Sequence, residues 1–134
     1  MLFRSSRWLP PLAVSLGRLY LGENRIAEDV LLPLRLFRTL RVLNLSFNDI
    51  QEIPLGLFDK MTRLEELYLS GNGLSALPTE DIHKLTNLKV LFLNGNKLQT
   101  LPSELGKLKH LSFLDVGSNS LKYNIHNWEF DWNW

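Results

Sequence analysis

Two hydrophobic periods are nested in this chain. The short one is two residues. Leu19 and Leu21, Leu43 and Leu45, Leu67 and Leu69, and Leu91 and Leu93 each flank a single non-core residue. That alternation predicts short β-strands with one face inward. The long period becomes visible when the chain is aligned on Leu16, Leu40, Leu64, Leu88 and Leu111. The segments read "LGRLYLGENRI", "LRVLNLSFNDI", "LEELYLSGNGL", "LKVLFLNGNKL" and "LSFLDVGSNSL". All five fit L-x-x-L-x-L-x-x-N-x-L, with Val116 replacing the third leucine of the last, at offsets of 24, 24, 24 and 23 residues.

A strand this short cannot bury its apolar face alone. Stacking the units side by side closes a shared core and pairs the backbones as a parallel sheet. The spacing therefore predicts an α/β leucine-rich repeat solenoid of about five rungs, with a concave parallel sheet. Asn24, Asn48, Asn72, Asn96 and Asn119 fall where the chain leaves each strand. A carboxamide carries donors and an acceptor, so this column predicts a structural ladder that satisfies turn backbone between rungs.

The other half of each repeat is patterned too. "EIPLGLFDKMTR", "ALPTEDIHKLTN" and "TLPSELGKLKH" each place proline after an aliphatic residue. Apolar pairs three apart follow: Phe58 and Met61, Ile82 and Leu85, Leu105 and Leu108. That stagger predicts helical or 3-10 turns packed against the sheet. Pro54, Pro78 and Pro102 suit the corners that enter them. The first repeat, "AEDVLLPLRLF", has its proline late, at Pro33, and its convex side is expected to be irregular.

The organisation read from the chain is a leader or divergent upstream repeat over residues 1–15 and one repeat domain over 16–134. The stretch "MLFRSSRWLPPLAVSLG" puts arginines before an apolar run, as a signal peptide does, but Pro10-Pro11 breaks the run. The end of the chain, "YNIHNWEFDWNW", departs from the leucine rhythm. Alternating Trp128, Phe130, Trp132 and Trp134 read as an extended insertion whose next rung is missing. Residues 128–134 are therefore expected to be poorly packed in isolation, with truncation after 134.

Charge excludes some functions. The 15 Lys and Arg residues nearly balance the 14 Asp and Glu, and the signs are interspersed along the chain. This is no nucleic-acid footprint. No apolar run approaches a membrane span. The absence of cysteine removes thiolate chemistry and favours a reducing compartment, so a cytoplasmic location is expected, extending to the inner face of the plasma membrane where partners bring the chain there. His83, His110 and His126 have no ligand neighbour at helical or strand spacing, so no metal site is expected. Neighbouring carboxylates such as Glu80-Asp81 lie on a solvent-facing surface with no enclosing pocket. No catalytic residue and no cofactor are assigned.

Protein binding is left as the function class. The variable strand positions project from the concave side. Tyr20, Tyr68, Phe92 and Phe113 are aromatics on that surface, with Arg18 and Glu66 beside them. Arg41 and Lys89 flank the strands on one side; Arg25 and Lys97 lie just beyond them on the other. Exposed aromatics ringed by charge have the composition of an interface hot spot. The competing reading is that the rings stack between rungs and stiffen the sheet.

The words of the repeats resemble a particular family. "LNLSFNDIQEIP", "LEELYLSGNGLSALPTEDI", "LKVLFLNGNKLQTLPSELGKL" and above all "LDVGSNSLKYNIHNWEFDWNW" are similar to the leucine-rich repeat region of fungal adenylate cyclases. The resemblance covers about residues 16 to 134. It implies a regulatory fragment whose repeats bind an activated Ras-type small GTPase. It also implies a catalytic domain outside this chain that converts ATP to cyclic AMP with magnesium. This segment itself is then expected to need no cofactor and turn over no ATP. The alternatives at this point are a generic intracellular repeat scaffold, a secreted ectodomain, or an enzyme.

Overall fold

A computed structural model of the chain describes residues 15–122. It shows a solenoid in which every repeat contributes one three-residue strand. These are β1 (Arg18–Tyr20), β2 (Val42–Asn44), β3 (Glu66–Tyr68), β4 (Val90–Phe92) and β5 (Phe113–Asp115). They form one parallel sheet in sequence order. The register never slips: Leu19, Leu43, Leu67, Leu91 and Leu114 are successive partners. A constant register follows from the constant repeat length, because a slip of one residue would turn every leucine out of the core.

The leucines meet in that core. The three motif leucines of the second, third and fourth rungs, Leu40 through Leu93, are all fully buried. Of the equivalent residues in the end rungs, Leu21 is buried, while Leu16, Leu19, Leu111, Leu114 and Val116 are only partly buried. Outer rungs have a neighbour on one side only, as a stacked array requires.

The asparagines bridge rungs. Asn72 donates to the carbonyls of Leu45 and Leu69, and its Oδ1 accepts from the backbone of Asn48 and Ile50. Asn96 repeats the pattern one rung on, and Asn119 accepts from Leu98. Among the described residues Asn24, in the first rung, donates to its own turn, at Leu21 and Gly22.

The convex side corrects one expectation. The first repeat is its most helical, not its most irregular: an α-helical turn over Glu28–Leu31 runs into a 3-10 helix over Leu32–Leu36. Pro33 sits in the opening turn of the 3-10 helix, where a missing N–H costs nothing. Buried Leu31, Leu34 and Phe37, three apart, hold the segment on the core. Elsewhere Pro78 caps a helix over Thr79–Ile82 and Pro102 a 3-10 helix over Ser103–Lys107. The second repeat returns through successive turns, with Met61 donating to Phe58 and Leu64 to Met61.

Side chains also staple adjacent rungs on the outer surface. Glu28 Oε1 accepts from the backbone of Gln51 and Glu52, which, after its own backbone N–H, holds the carboxyl below its ordinary range. Asp81, expected on the solvent-facing surface, is instead buried, where it accepts from the backbone N–H of Gly56, whose φ of 85° is a left-handed value. Lys84 pairs with Asp59. The expectations for residues 128–134 and the leader lie outside the described residues, Ser15 apart.

Candidate protein interface

Position five of each repeat forms the middle column of the concave face. It reads Tyr20, Asn44, Tyr68, Phe92 and Asp115 in register. Strands about 4.8 Å apart hold neighbouring rings at stacking distance. The rings of Tyr68 and Phe92 are stacked with centroids 5.0 Å apart. Phe113 stands opposite Val90, one column over, and reaches Phe92 diagonally at 4.9 Å. Stiffening therefore describes part of the aromatic set. It does not describe Tyr20, which is 60% exposed and has no ring stacked on it among the described residues.

Tyr68 is locked further. Its hydroxyl donates to Glu66 Oε1 at 2.5 Å, two residues away on the same face. That bond to the carboxylate, with burial behind it, raises the phenol pKa to about 12. Val42, between Arg18 and Glu66 in the next column, is buried and offers nothing to a partner.

Beside the rings runs a polar row. Ser46 Oγ accepts from the Ser70 backbone, and Ser70 Oγ donates to Asn94 Oδ1. Asn44 and Asp115 each accept from a backbone N–H two residues on, which turns the chain off the strand. Rings and polar row together line an open groove of about 570 Å³.

Phe47, which the sequence places just beyond the strand, closes the groove on one side. It occupies position eight, where all five repeats adopt positive φ: Glu23 57°, Phe47 58°, Gly71 63°, Gly95 72° and Ser118 52°. Glycine takes this conformation freely; a bulky residue does so at a cost. Phe47 is nevertheless 58% exposed, and its ring lies over Gly71, so close that a Cβ there would approach it to 2.4 Å. The signal available in the sequence was a phenylalanine in a column otherwise made of small or polar residues.

Among the predicted residues, the sheet brings Arg18, Tyr20, Glu66, Tyr68, Phe92 and Phe113 onto the floor. Arg41 and Lys89 sit on the rim where strands begin; Arg25 and Lys97 sit on the rim where they end. Three-residue strands leave no room on the floor for these four. Lys89 pairs with Glu65 at 3.3 Å. His83 and His110 are exposed, and no group of three metal-ligating side chains occurs among the described residues. No helix among them is long and apolar enough to cross a membrane.

Stacked in-register rungs, an asparagine ladder and a short convex return define the class: this is a leucine-rich repeat protein. Residues 24–128 match the family described as leucine-rich repeat region, and the chain belongs to it. Its sequence is similar to adenylate cyclases of three fungi. Identity is 64% over 130 residues with that of Mycosarcoma maydis, covering 97% of this chain and 5% of that protein. It is 58% with that of Podospora anserina, covering 91% and 6%. It is 50% with that of Lachancea kluyveri, covering 93% and 7%. The chain thus spans a small fraction of the length of these relatives. Among solved structures, a leucine-rich repeat protein of Leptospira interrogans superposes with a TM-score of 0.72 at 38% identity, covering 78% of this chain and 26% of that one. An internalin of Listeria monocytogenes gives 0.68 at 25%, covering 79% and 29%.

Proposed function

We propose that this chain is the regulatory repeat segment of a fungal adenylate cyclase, and that its concave face docks an activated Ras-type small GTPase. Cyclic AMP synthesis would then proceed in a part of the parent protein outside these repeats. The similarity to fungal adenylate cyclases across nearly the whole chain supports the parent. The observation that carries the binding role is the concave face itself, with Tyr20, Tyr68 and Phe92 lining its groove and free cations along the strand ends. Five rungs span about 20 Å, wide enough for an interface of roughly 800 Å² per partner. Arg18, Arg25, Arg41 and Lys97 make no ion pair among the described residues, which leaves them free to steer an acidic surface.

A nucleotide-dependent pull-down tests the reading. The chain should retain the GTPase loaded with a GTP analogue and release the GDP form. Two truncated anchors at about 2 kcal/mol each should abolish retention by the Tyr68→Ala/Phe92→Ala variant, checked for folding by circular dichroism. Undiminished binding by that folded variant refutes the concave assignment. Retention that ignores the nucleotide points instead to a scaffold for another partner.

A further inference from the structure

Charges interspersed along the sequence are sorted by the fold. Each repeat crosses from strand to return segment on one flank and comes back on the other. The flank where strands begin comprises residues 35–41, 59–65, 83–89 and 107–112; it carries nine lysines and arginines against two carboxylates. The flank where strands end comprises 21–29, 45–54, 69–81, 93–104 and 116–122; it carries eight carboxylates against three cations. Both carboxylates of the basic flank, Asp59 and Glu65, are already paired with lysines. Arg38, Arg41, Arg63, Lys107 and Lys109 are exposed and make no ion pair among the described residues.

This edge is tied together rung by rung. A backbone ladder runs along it: Arg41 donates to Gly17, Glu65 to Arg41, and Lys89 to Glu65, each at 2.7 Å, and Ser112 to Lys89 at 2.9 Å. Return helices favour acidic residues in their first turn and basic ones in their last. That accounts for Glu28, Glu80 and Lys107, but not for Arg38, Arg41, Arg63 or Lys109, which lie outside any helix.

We infer that the basic flank is a docking edge for a bilayer leaflet containing anionic phospholipid. A protein interface needs an apolar anchor in a pocket. On this flank Leu36 is the sole large apolar side chain that is exposed, among the described residues, and no aromatic accompanies the cations. A row of long, unpaired cations fits a diffuse negative surface, where each gains attraction independently. The acidic flank lies across the solenoid, beyond the screening length of about 8 Å. In this orientation the strands point away from the bilayer and the concave groove stays open to the side.

Sedimentation with vesicles tests this without reference to the GTPase. The probes are phosphatidylcholine vesicles with and without about one third phosphatidylserine. The whole chain should sediment with the anionic vesicles only and be released as salt rises. Arg38→Glu/Arg63→Glu/Lys109→Glu should lower partitioning on the order of a hundredfold. The milder Arg38→Gln/Arg63→Gln/Lys109→Gln variant should fall between, and covers the case in which charge reversal disturbs folding. Glu52→Lys/Glu80→Lys, on the opposite flank, should not lose binding. Equal partitioning of parent and flank variants, or equal binding to neutral vesicles, overturns the inference. So does a parent that ignores vesicles but binds duplex DNA or an acidic peptide. GTPase retention by the vesicle-deficient variant would show that the two surfaces act separately.

Discussion

Asn96 shows how much structure one side chain in this fold carries. It is buried, donates to the carbonyls of Leu69 and Leu93, and accepts from the backbone of Asn72 and Leu74. Replacing it with alanine strands four backbone groups in a dry turn. The expected loss is about 2–4 kcal/mol, read from the midpoint of urea denaturation. Asn119→Ala, partly exposed on the last described rung, should cost clearly less. A loss at Asn96 no larger than at Asn119 would contradict the ladder. The recurrence of asparagine made its structural role legible. That the carboxamides past the first rung serve their own turn as well as the preceding rung was not, because it depends on how turns 24 residues apart overlie one another. Phe47 marks the limit at this scale. Its left-handed backbone and its contact with Gly71 arise from the turn of one rung meeting the next.

At the scale of the element, β3 places Glu66 and Tyr68 on one face, two residues apart, where their side chains bond. The folded phenol holds its proton up to about 12, against an ordinary 10.0. A pKa raised by folding means stability that is complete below pH 10 and drains away as pH rises toward 12. Phenolate absorbance should therefore show Tyr68 titrating late in the native chain. In Glu66→Gln its midpoint should move down toward the ordinary value, and the alkaline loss of stability should flatten. An unmoved midpoint would remove the carboxylate as the cause. The strands themselves were legible, since an alternation of leucines three residues long admits little else. The first return segment was not. Proline counts against a helix only when its position relative to the helix start is unknown, and here Pro33 falls in an opening turn.

On the scale of the whole molecule, the contacts run from rung to neighbouring rung. Stability should then fall from the middle of the stack toward its ends. The gradient in burial already has that shape, with Leu67 fully enclosed and Leu19 and Leu114 partly open. Native-state hydrogen exchange should find the amides of Leu45 and Leu69, bonded to Tyr68 and Phe92, the slowest. Leu21, bonded across the first pair of strands, should exchange sooner. Uniform protection across the sheet would mean that the rungs open together, not in sequence.

The repeat length, the inward leucines, the asparagine column and the residues of each concave column follow from the sequence alone. They are periodic, and a period read along the chain is a spacing read across the stack. Tertiary structure decided what depends on phase and neighbour. It stacked Tyr68 on Phe92 and left Tyr20 open. It also separated positive from negative charge onto opposite flanks. The charges are mixed in sequence because each turn of the solenoid visits both flanks, and only winding the chain brings like positions together.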